Sequence, residues 1–419
     1  MATFNKQQIK SLPTLVDVVK RIRKDIEDKV ATGLWNDSYH EMEDLAWDVP
    51  FGDFCNGAGD DKFIVVQTQR KRHTLKPNLK HCPYLFRGQN KVYPRILSSF
   101  TRDEYDKTGK PIDEKVVHAK HLLGNLQAEE FISLLRTHPL FMMLDRGIIL
   151  HPESKPIFLN MNYYGLAQHY NFKTAVVDFT TDIDVAAFFA CTKNIGNDRY
   201  EPITDTNAYP YGVIYIHEID PQMTFKFCGF STIGLQLYPR TGAQKGILFN
   251  EPKARFPLEK MVKPIYFRHD AGVSRHFFQK MDGKLFPNDG ICEKAKEILQ
   301  GNEISGLTFA QNLYSNQEYL STNWEELESM GIRVNWHKQL YFTDDMLQVL
   351  ENDLKNGLWE QFCNPIYFAD KEKGKMMHES LLRLPNNPAY AHYFKKDEYK
   401  RITEYEADMH KRALDNRKK

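Results

Sequence analysis

The sequence predicts an α+β fold: a mixed central sheet domain with a helical N-terminal element and a helical C-terminal region. Strand-type apolar runs are mixed with helical patterns between residues 62 and 268 and crowd towards the end of that range. This order is unlike the regular alternation of βαβ units. From about residue 270 onward the apolar spacing is helical. We therefore expect three segments, 1–61, 62–268 and 270–419.

Composition is that of an ordinary globular protein. Of 419 residues, 42% are hydrophobic and 26% are charged, and the 56 basic and 55 acidic residues leave a net charge of +1. No global field therefore steers the chain to nucleic acid or to an anionic membrane. The six cysteines are scattered without Cys-x-x-Cys spacing, which is typical of reduced thiols. We expect a cytoplasmic protein with no signal peptide, membrane span or metal site.

The first third of the chain alternates helical, irregular and strand-like stretches. Residues 5–33 show apolar side chains at helical spacing and predict an amphipathic helix that serves as a packing or partner surface. Residues 36–61 are predicted to be irregular, and 62–67 and 84–87 to be strands. The basic stretch 67–81 between those strands is either a solvated connection or a loop that contacts phosphate. Helices are predicted at 114–136 and within 142–156.

We expect the fold to be organised around residues 163–190. A helical segment at 163–170 precedes a buried strand at 174–179 and a small-residue helix at 182–192. Polar side chains bracket the strand, His169 and Thr174 before it and Asp178 and Thr180 at its end. Pockets form at such strand ends in α/β proteins. The alternative is that Asp182 caps the helix and Asp178 only satisfies a turn.

The remainder is predicted as a loop at 194–210, several strands and then helices. The strands are expected at 211–219, 233–239, 246–250 and 262–267. The helices are expected at 273–281, 291–299, 307–330, 344–358, 375–384 and 390–414.

Three motifs occur in a fixed order. The first is Tyr-Leu-Phe-Arg-Gly-Gln at 84–89, followed by 93–100; the second is Gln-His-Tyr at 168–170 with Thr174, Asp178 and Thr180; the third is Arg-Thr-Gly-Ala-Gln-Lys-Gly-Ile-Leu-Phe at 240–249. Together they resemble the FRG domain, a family named for its Phe-Arg-Gly signature. The resemblance covers about 80–250.

The sequence departs from the family pattern at several positions. Asn171 stands at a usual Gly, which is tolerable because Asn reaches left-handed backbone more readily than most residues. Lys173 replaces Pro, Ala175 replaces Arg and Phe179 replaces Trp. If the lost Arg holds an anion in relatives, Lys173 is the substitute, but a point charge does not reproduce a planar bidentate grip.

The layout of the family is similar to that of ADP-ribosyltransferases, which break the nicotinamide–ribose bond of NAD and pass ADP-ribose to a protein, a nucleic acid or water. The resemblance implies a bacterial toxin, as in toxin–antitoxin pairs, or a phage-defence effector, with NAD as substrate and no metal. It implies a macromolecular acceptor (protein, RNA or DNA), and a possible antitoxin or regulatory protein bound by the terminal helices, but no membrane partner.

The same resemblance assigns residues to roles. The catalytic set is Arg87, His169, Asp178 and Gln244. The NAD-binding set is Arg87, Gly88, Gln89, Tyr163, Tyr164, Tyr170, Thr174 and Thr180. Arg87 would grip phosphate, Gly88 would allow close approach and a tyrosine would stack on nicotinamide. The amide of Gln244 does not titrate, so the carboxylate must come from Asp178 or, second, Glu218.

Each role has a structural alternative. Arg87 could pair with Asp178, His169 could be a core histidine, and the tyrosines could be core residues. Gly242 and Gly246 could serve only turns. At the level of the whole protein, a non-enzymatic module that senses a nucleotide or a phage component stays open beside the enzyme. No Gly-x-Ser-x-Gly elbow or Walker loop is present.

Overall fold

The structure, a computed structural model, describes residues 4–32, 63–67, 73–79, 81–106, 110–138, 161–196, 198–220, 223–225, 228–233, 239–251, 257–315 and 317–338, with a few further positions (141, 340, 342, 345–346, 348–349, 352, 408 and 412). The predicted segments 36–61, 142–156, 344–358, 375–384 and 390–414 lie wholly or almost wholly outside these residues. The described residues form two compact units. Unit 1 takes those within Met1–Ile96 and Val176–Pro287, and unit 2 those within Leu97–Ala175, Asn288–Leu358 and His378–Lys419.

Unit 1 contains the principal sheet and the helices that cover it. Its helices are α1 (Lys6–Ser11), α2 (Leu15–Ala31), α6 (Ile183–Cys191), α7 (Pro239–Gln244), α8 (Leu258–Met261) and α9 (Ala271–Met281). Its strands are β1 (Phe63–Gln67), β2 (His73–Pro77), β3 (Tyr84–Gln89), β4 (Val176–Thr180), β5 (Thr192–Gly196), β6 (Arg199–Pro202), β7 (Tyr211–Glu218), β8 (Phe230–Thr232), β9 (Gly246–Asn250) and β10 (Lys263–Arg268).

Six strands form one sheet in the order β10-β7-β3-β4-β9-β8. Each neighbouring pair in it is antiparallel. The α+β class is therefore confirmed, and the central sheet is antiparallel. β3 pairs with β7 over six residues and β4 pairs with β9 over five. By contrast, β3 and β4 share only Phe86↔Thr180, so these two central strands diverge after a single pair.

Helices α2 and α6 cover one face of this sheet. Thr14 and Asp17 form a capping box that starts α2 directly after Pro13. The buried side of α2, with Leu15 and Val18 fully buried, belongs to the same core cluster as Phe86, Ala186 and Phe267. The predicted amphipathic helix is thus an integral layer of unit 1.

Unit 2 is mainly helical. Its elements are α3 (Ser99–Arg102), α4 (Glu114–Arg136), α5 (Tyr163–His169), α10 (Cys292–Gln300), β11 (Glu303–Ser305), α11 (Gly306–Ser315), α12 (Gln317–Ser329) and β12 (Arg333–Asn335). Helix α4 begins after Asp113, whose carboxylate accepts from two backbone amides. Glu130 on α4 is fully buried, accepts from the amide of Ser305 and pairs with Nζ of Lys338 at 2.6 Å. A buried carboxylate needs such partners to remain charged.

Two local predictions are wrong. The stretch 67–81, predicted as a connection, contains β2, which pairs with β1. The predicted loop 194–210 contains the hairpin β5–β6, whose turn carries positive φ at Gly196 and Asp198. A Gly-Asn-Asp sequence is a turn signal between strands, and polar composition hid it. The strand predicted at 233–239 lies almost wholly outside the described residues, and β8, which pairs with β9, precedes it.

The other described predictions agree with the structure within a few residues. The predicted helix 5–33 is divided into α1 and α2 at Leu12–Thr14, and 307–330 is divided into α11 and α12. In the described part of the chain, no helix has both the length and the apolar character needed to cross a membrane.

Candidate functional site

The predicted site residues divide between the two units. Unit 1 holds those of the first motif, the end of the second and the third: Arg87, Gly88, Gln89, Asp178, Thr180 and Gln244. Unit 2 holds those of α5 and the segment after it: Tyr163, Tyr164, His169, Tyr170 and Thr174. The three motifs reach unit 1 on adjacent strands, with the first on β3, the second ending in β4 and the third leading into β9.

Alternation along β3 sends the Phe-Arg-Gly side chains to opposite faces of the sheet. Phe86 lies in the core under α6, and a Cβ on Gly88 would come within 1.8 Å of the carbonyl oxygen of Ala186. Close packing of β3 against α6 therefore accounts for the glycine. Arg87 and Gln89 lie on the opposite face, and the guanidinium of Arg87 interacts electrostatically with Tyr215, its register partner on β7.

Arg87 lies where β3 and β4 diverge. Its Nη1 donates a hydrogen bond of 2.7 Å to the carbonyl oxygen of Asp178. The alternative predicted from sequence joined Arg87 to Asp178 by their side chains; the contact described here is to the main chain. The guanidinium thus donates to a carbonyl oxygen at the point where the pairing of β3 and β4 stops. This hydrogen bond fixes the two strands beside the opening.

Gln89 presents an acceptor on the same face as Arg87. Its Oε1 is buried and has no hydrogen-bond partner within the described part of the chain. Tyr215 is also on this face, and burial together with Tyr266 raises the pKa of its hydroxyl to about 12, against the opposing effect of Arg87. A buried acceptor next to a cation and a neutral phenol is suited to a hydroxyl-bearing, anionic ligand.

The side chain of Asp178 lies on the face covered by α6. Thr180 is opposite Phe86, and residues directly opposite in an antiparallel pair share a face, so Asp178, two residues earlier, shares it too. Asp178 is half-buried, and its Oδ1 is shielded from solvent. Burial raises the pKa of Tyr200 to about 12, and the carboxylates of Asp198 and Asp178 add to that rise.

The third motif is tied to its surroundings by polar contacts. The hydroxyl of Thr180 donates to the carbonyl oxygen of Gln244 at 2.7 Å. Nε2 of Gln244 donates to the carbonyl oxygen of Leu285 at 3.1 Å. Lys245 pairs with Asp182, the residue that caps α6. Burial opposes the charge of Asp182, but the pair with Lys245 outweighs it and lowers the pKa of that carboxyl. Gln244 is therefore held near the end of β4.

The unit 2 residues make their described contacts within that unit. Nδ1 of His169 is 2.9 Å from the carbonyl oxygen of Gly165, and Tyr170 donates to Asp289. Tyr164 donates to Glu129, and burial followed by that contact raises the pKa of its hydroxyl.

Arg136 lies over the ring of Tyr163 at 5.1 Å, and Thr174 donates to Gln168. Lys173, the candidate substitute for the lost Arg, pairs with Asp103. In unit 1, Glu218, the second carboxylate considered, pairs with Lys29.

Sequence reasoning missed Tyr200, which interacts electrostatically with Asp178, and the residues packed near it. Arg240 is buried, pairs with Asp198 at 2.7 Å and donates from Nε to the carbonyl oxygen of Pro287 at 3.3 Å. A cluster of aromatic rings is formed by Phe189, Tyr200 and Phe286. Arg240 opens the third motif and was detectable there. The rings are spread over a hundred residues and give no local signal.

Comparison with protein families supports the resemblance to the FRG domain. The family model of the FRG domain matches residues 82–199. The chain carries an FRG domain. The matched segment contains β3, β4 and α6, and the third motif follows it. No curated protein and no solved structure matches the chain. Among the described residues, no group of three or more His, Cys, Asp or Glu side chains is arranged to hold a metal ion.

Proposed function

We propose that the FRG domain is an NAD-dependent ADP-ribosyltransferase, and that the protein acts on a protein, RNA or DNA as a toxin or phage-defence effector. The observation that carries the proposal is the meeting of the three motifs on adjacent strands, where β3 and β4 diverge. Arg87 and Gln89 lie at this opening on one face of the sheet, and Asp178 lies there on the face covered by α6.

The reaction breaks the bond between the ribose C1′ and the nicotinamide nitrogen. The bonding electron pair leaves with nicotinamide, which becomes neutral, and C1′ acquires oxocarbenium character. A nucleophilic oxygen or nitrogen of the acceptor then attacks C1′ and loses its proton. The site must therefore hold the diphosphate, stabilise a cation and accept one proton.

Unit 1 offers a group for each requirement. The planar guanidinium of Arg87 suits the diphosphate, and the buried Oε1 of Gln89 suits a ribose hydroxyl. The half-buried carboxylate of Asp178 would stabilise the cation and take the proton from the acceptor. Gln244 keeps a positioning role, since its amide does not titrate.

The test uses the full chain, NAD labelled in its adenylate part and cell lysate as the source of acceptor. We expect label on a macromolecule, reduced at least about a hundredfold by Arg87→Ala and by Asp178→Asn, as for loss of one preorganised electrostatic contact. Arg21→Ala, at an exposed arginine of α2, is the matched control and should keep full activity. Intact NAD with all four proteins folded would contradict the proposal.

A second candidate function is a non-enzymatic sensor of a nucleotide or a phage component. The observation in its favour is that Arg87 donates to a main-chain carbonyl, which is a structural role. This candidate predicts nucleotide binding by calorimetry without NAD consumption, whereas turnover under the same conditions excludes it.

A further inference from the structure

An aromatic surface lies on the α6 face of the sheet in unit 1. It consists of Phe189 on α6, Tyr200 on β6 and Phe286 in the segment after α9. The rings of Tyr200 and Phe286 are stacked, with centroids 5.0 Å apart and planes at 16°. Phe189 meets both rings edge-on, at 5.7 Å from Tyr200 and 6.2 Å from Phe286.

The three rings are only partly buried. They pack against a fully buried cluster of Val185, Phe188 and Leu285 on one side. Each of the three keeps part of its surface exposed. A rigid group of rings with uncovered surface is a ready platform for a flat ligand, because little conformational entropy is lost on binding.

Two carboxylates act on the Tyr200 ring of this platform. The carboxylates of Asp178 and Asp198 both interact electrostatically with Tyr200. Asp198 is held by the buried Arg240, which fixes the hairpin that carries Tyr200. Aromatic faces attract cations through their quadrupole, and a nearby carboxylate adds to that attraction. The platform therefore favours a ring that is flat and positively charged.

We propose that Phe189, Tyr200 and Phe286 form the subsite for the cationic nicotinamide ring of NAD, beside Asp178. This inference rests on the proposed function for the identity of the ligand. The oxidised ring is planar and positively charged, whereas the reduced ring is neutral and puckered. The subsite therefore selects NAD over NADH. It also differs from the sequence expectation, which assigned the stacking to tyrosines 163, 164 and 170.

The test compares two small probes that differ in charge. 1-Methylnicotinamide, methylated at the ring nitrogen, carries the cationic ring and nicotinamide is its neutral counterpart, and binding of each to the full chain is followed by ligand-observed NMR. We expect the cation to bind about tenfold more tightly, the gain of one partly desolvated cation–π contact. Equal affinities for the wild-type chain would overturn the inference.

Variants assign the preference to the rings. Phe286→Leu and Tyr200→Leu should abolish it, whereas Phe286→Tyr and Tyr200→Phe, which retain a ring, should keep it. Tyr93→Leu, at an exposed tyrosine of unit 1, is the control and should behave as wild type. An unchanged preference in folded Phe286→Leu would overturn the inference. If the leucine variants do not fold, the wild-type comparison of the two probes still decides it.

The two proposals fail separately. A chain that prefers the cationic probe but transfers no ADP-ribose keeps the subsite and refutes the proposed reaction. A chain that transfers ADP-ribose while binding both probes equally refutes the subsite alone.

Discussion

At the scale of single residues, the Phe-Arg-Gly signature combines three different tasks within three positions. Phe86 fills the core, Gly88 allows α6 to approach β3, and Arg87 faces the other way and serves the carbonyl of Asp178. Strand alternation alone produces this division. The signature therefore builds the opening between β3 and β4 whether or not a ligand occupies it.

Gly88 should tolerate no side chain. Gly88→Ala would bring a Cβ to 1.8 Å from the Ala186 carbonyl oxygen, so α6 must shift. We expect the free energy of unfolding to fall by about 2–4 kcal/mol, as for overpacking a tight contact, measured by urea denaturation. Gly272→Ala on α9 is the control, where the new Cβ would meet only the Asp270 side chain at 3.2 Å. Equal stability of the two variants would show that β3 and α6 are not in close contact.

His138 in unit 2 should make stability depend on pH. Burial lowers its pKa to about 3 from an ordinary value of 6.5. The unfolded chain thus takes up a proton below pH 6.5 that the folded chain refuses until about pH 3. The free energy of unfolding is unaffected above pH 6.5 and falls by about 1.4 kcal/mol per pH unit below it, from this group.

The contribution of His138 to this pH dependence is obtained from the free energies of unfolding of His138→Phe and of wild type, each measured at pH 7 and at pH 5. The variant should lose about 2 kcal/mol less than wild type over this interval. Buried His217 and His269, whose pKa values burial also lowers, contribute with the same sign in both proteins. His118→Gln, at a histidine whose side chain is 44% exposed, is the control. An identical pH response in His138→Phe and wild type would contradict the assignment.

At the scale of elements, α2 is part of the folded core of unit 1. Its polar side also reaches the sheet, where Tyr84 donates to Asp25 and Lys29 pairs with Glu218. In the first turn of α6, Asp184 pairs with both Arg23 and Lys280. These contacts fix α2 across the strand that carries the signature, so a chain shortened to the matched segment 82–199 would expose this core.

Leu15 should be the sensitive position of α2. Its side chain is buried in the core cluster that contains Phe86 and Ala186. Leu15→Ala should lower the free energy of unfolding by about 2–5 kcal/mol through lost burial and the remaining cavity. Val30→Ala, near the end of the same helix at 39% exposure, should change it by less than about 0.5 kcal/mol. Similar losses in both would mean that α2 is not packed as described.

Elements were predictable where periodicity and caps coincide. Helix α4 has the bounds that the sequence predicts, because its apolar spacing is continuous and Asp113 caps it. The hairpin β5–β6 and strand β2 escaped prediction since their partners, and not their composition, stabilise them. The sheet faces on which Arg87 and Asp178 lie were not predictable, because they depend on the register between β3 and β4 and no local sequence pattern encodes that register.

At the scale of the whole molecule, each compact unit is assembled from separate stretches of chain. The predicted segments 1–61, 62–268 and 270–419 follow composition, which changes along the chain, whereas contacts join distant stretches. A division by composition does not reveal the aromatic platform, because its rings meet only in the folded chain: Phe189, Tyr200 and Phe286. The matched family segment 82–199 contains β3, β4 and α6, whereas Tyr200 and Phe286 follow it in the sequence.

The central proposal is tested by measuring how many nicotinamide molecules are released for each ADP-ribose group transferred. The full chain is incubated with lysate and NAD that carries one label in its adenylate part and another in nicotinamide. We expect one nicotinamide to be released for each adenylate label that becomes bound to a macromolecule. Both signals should be lost in Asp178→Asn and kept in Arg21→Ala. Nicotinamide release in the Asp178→Asn variant at the wild-type rate, or NAD that stays intact with the folded wild-type chain, would contradict it.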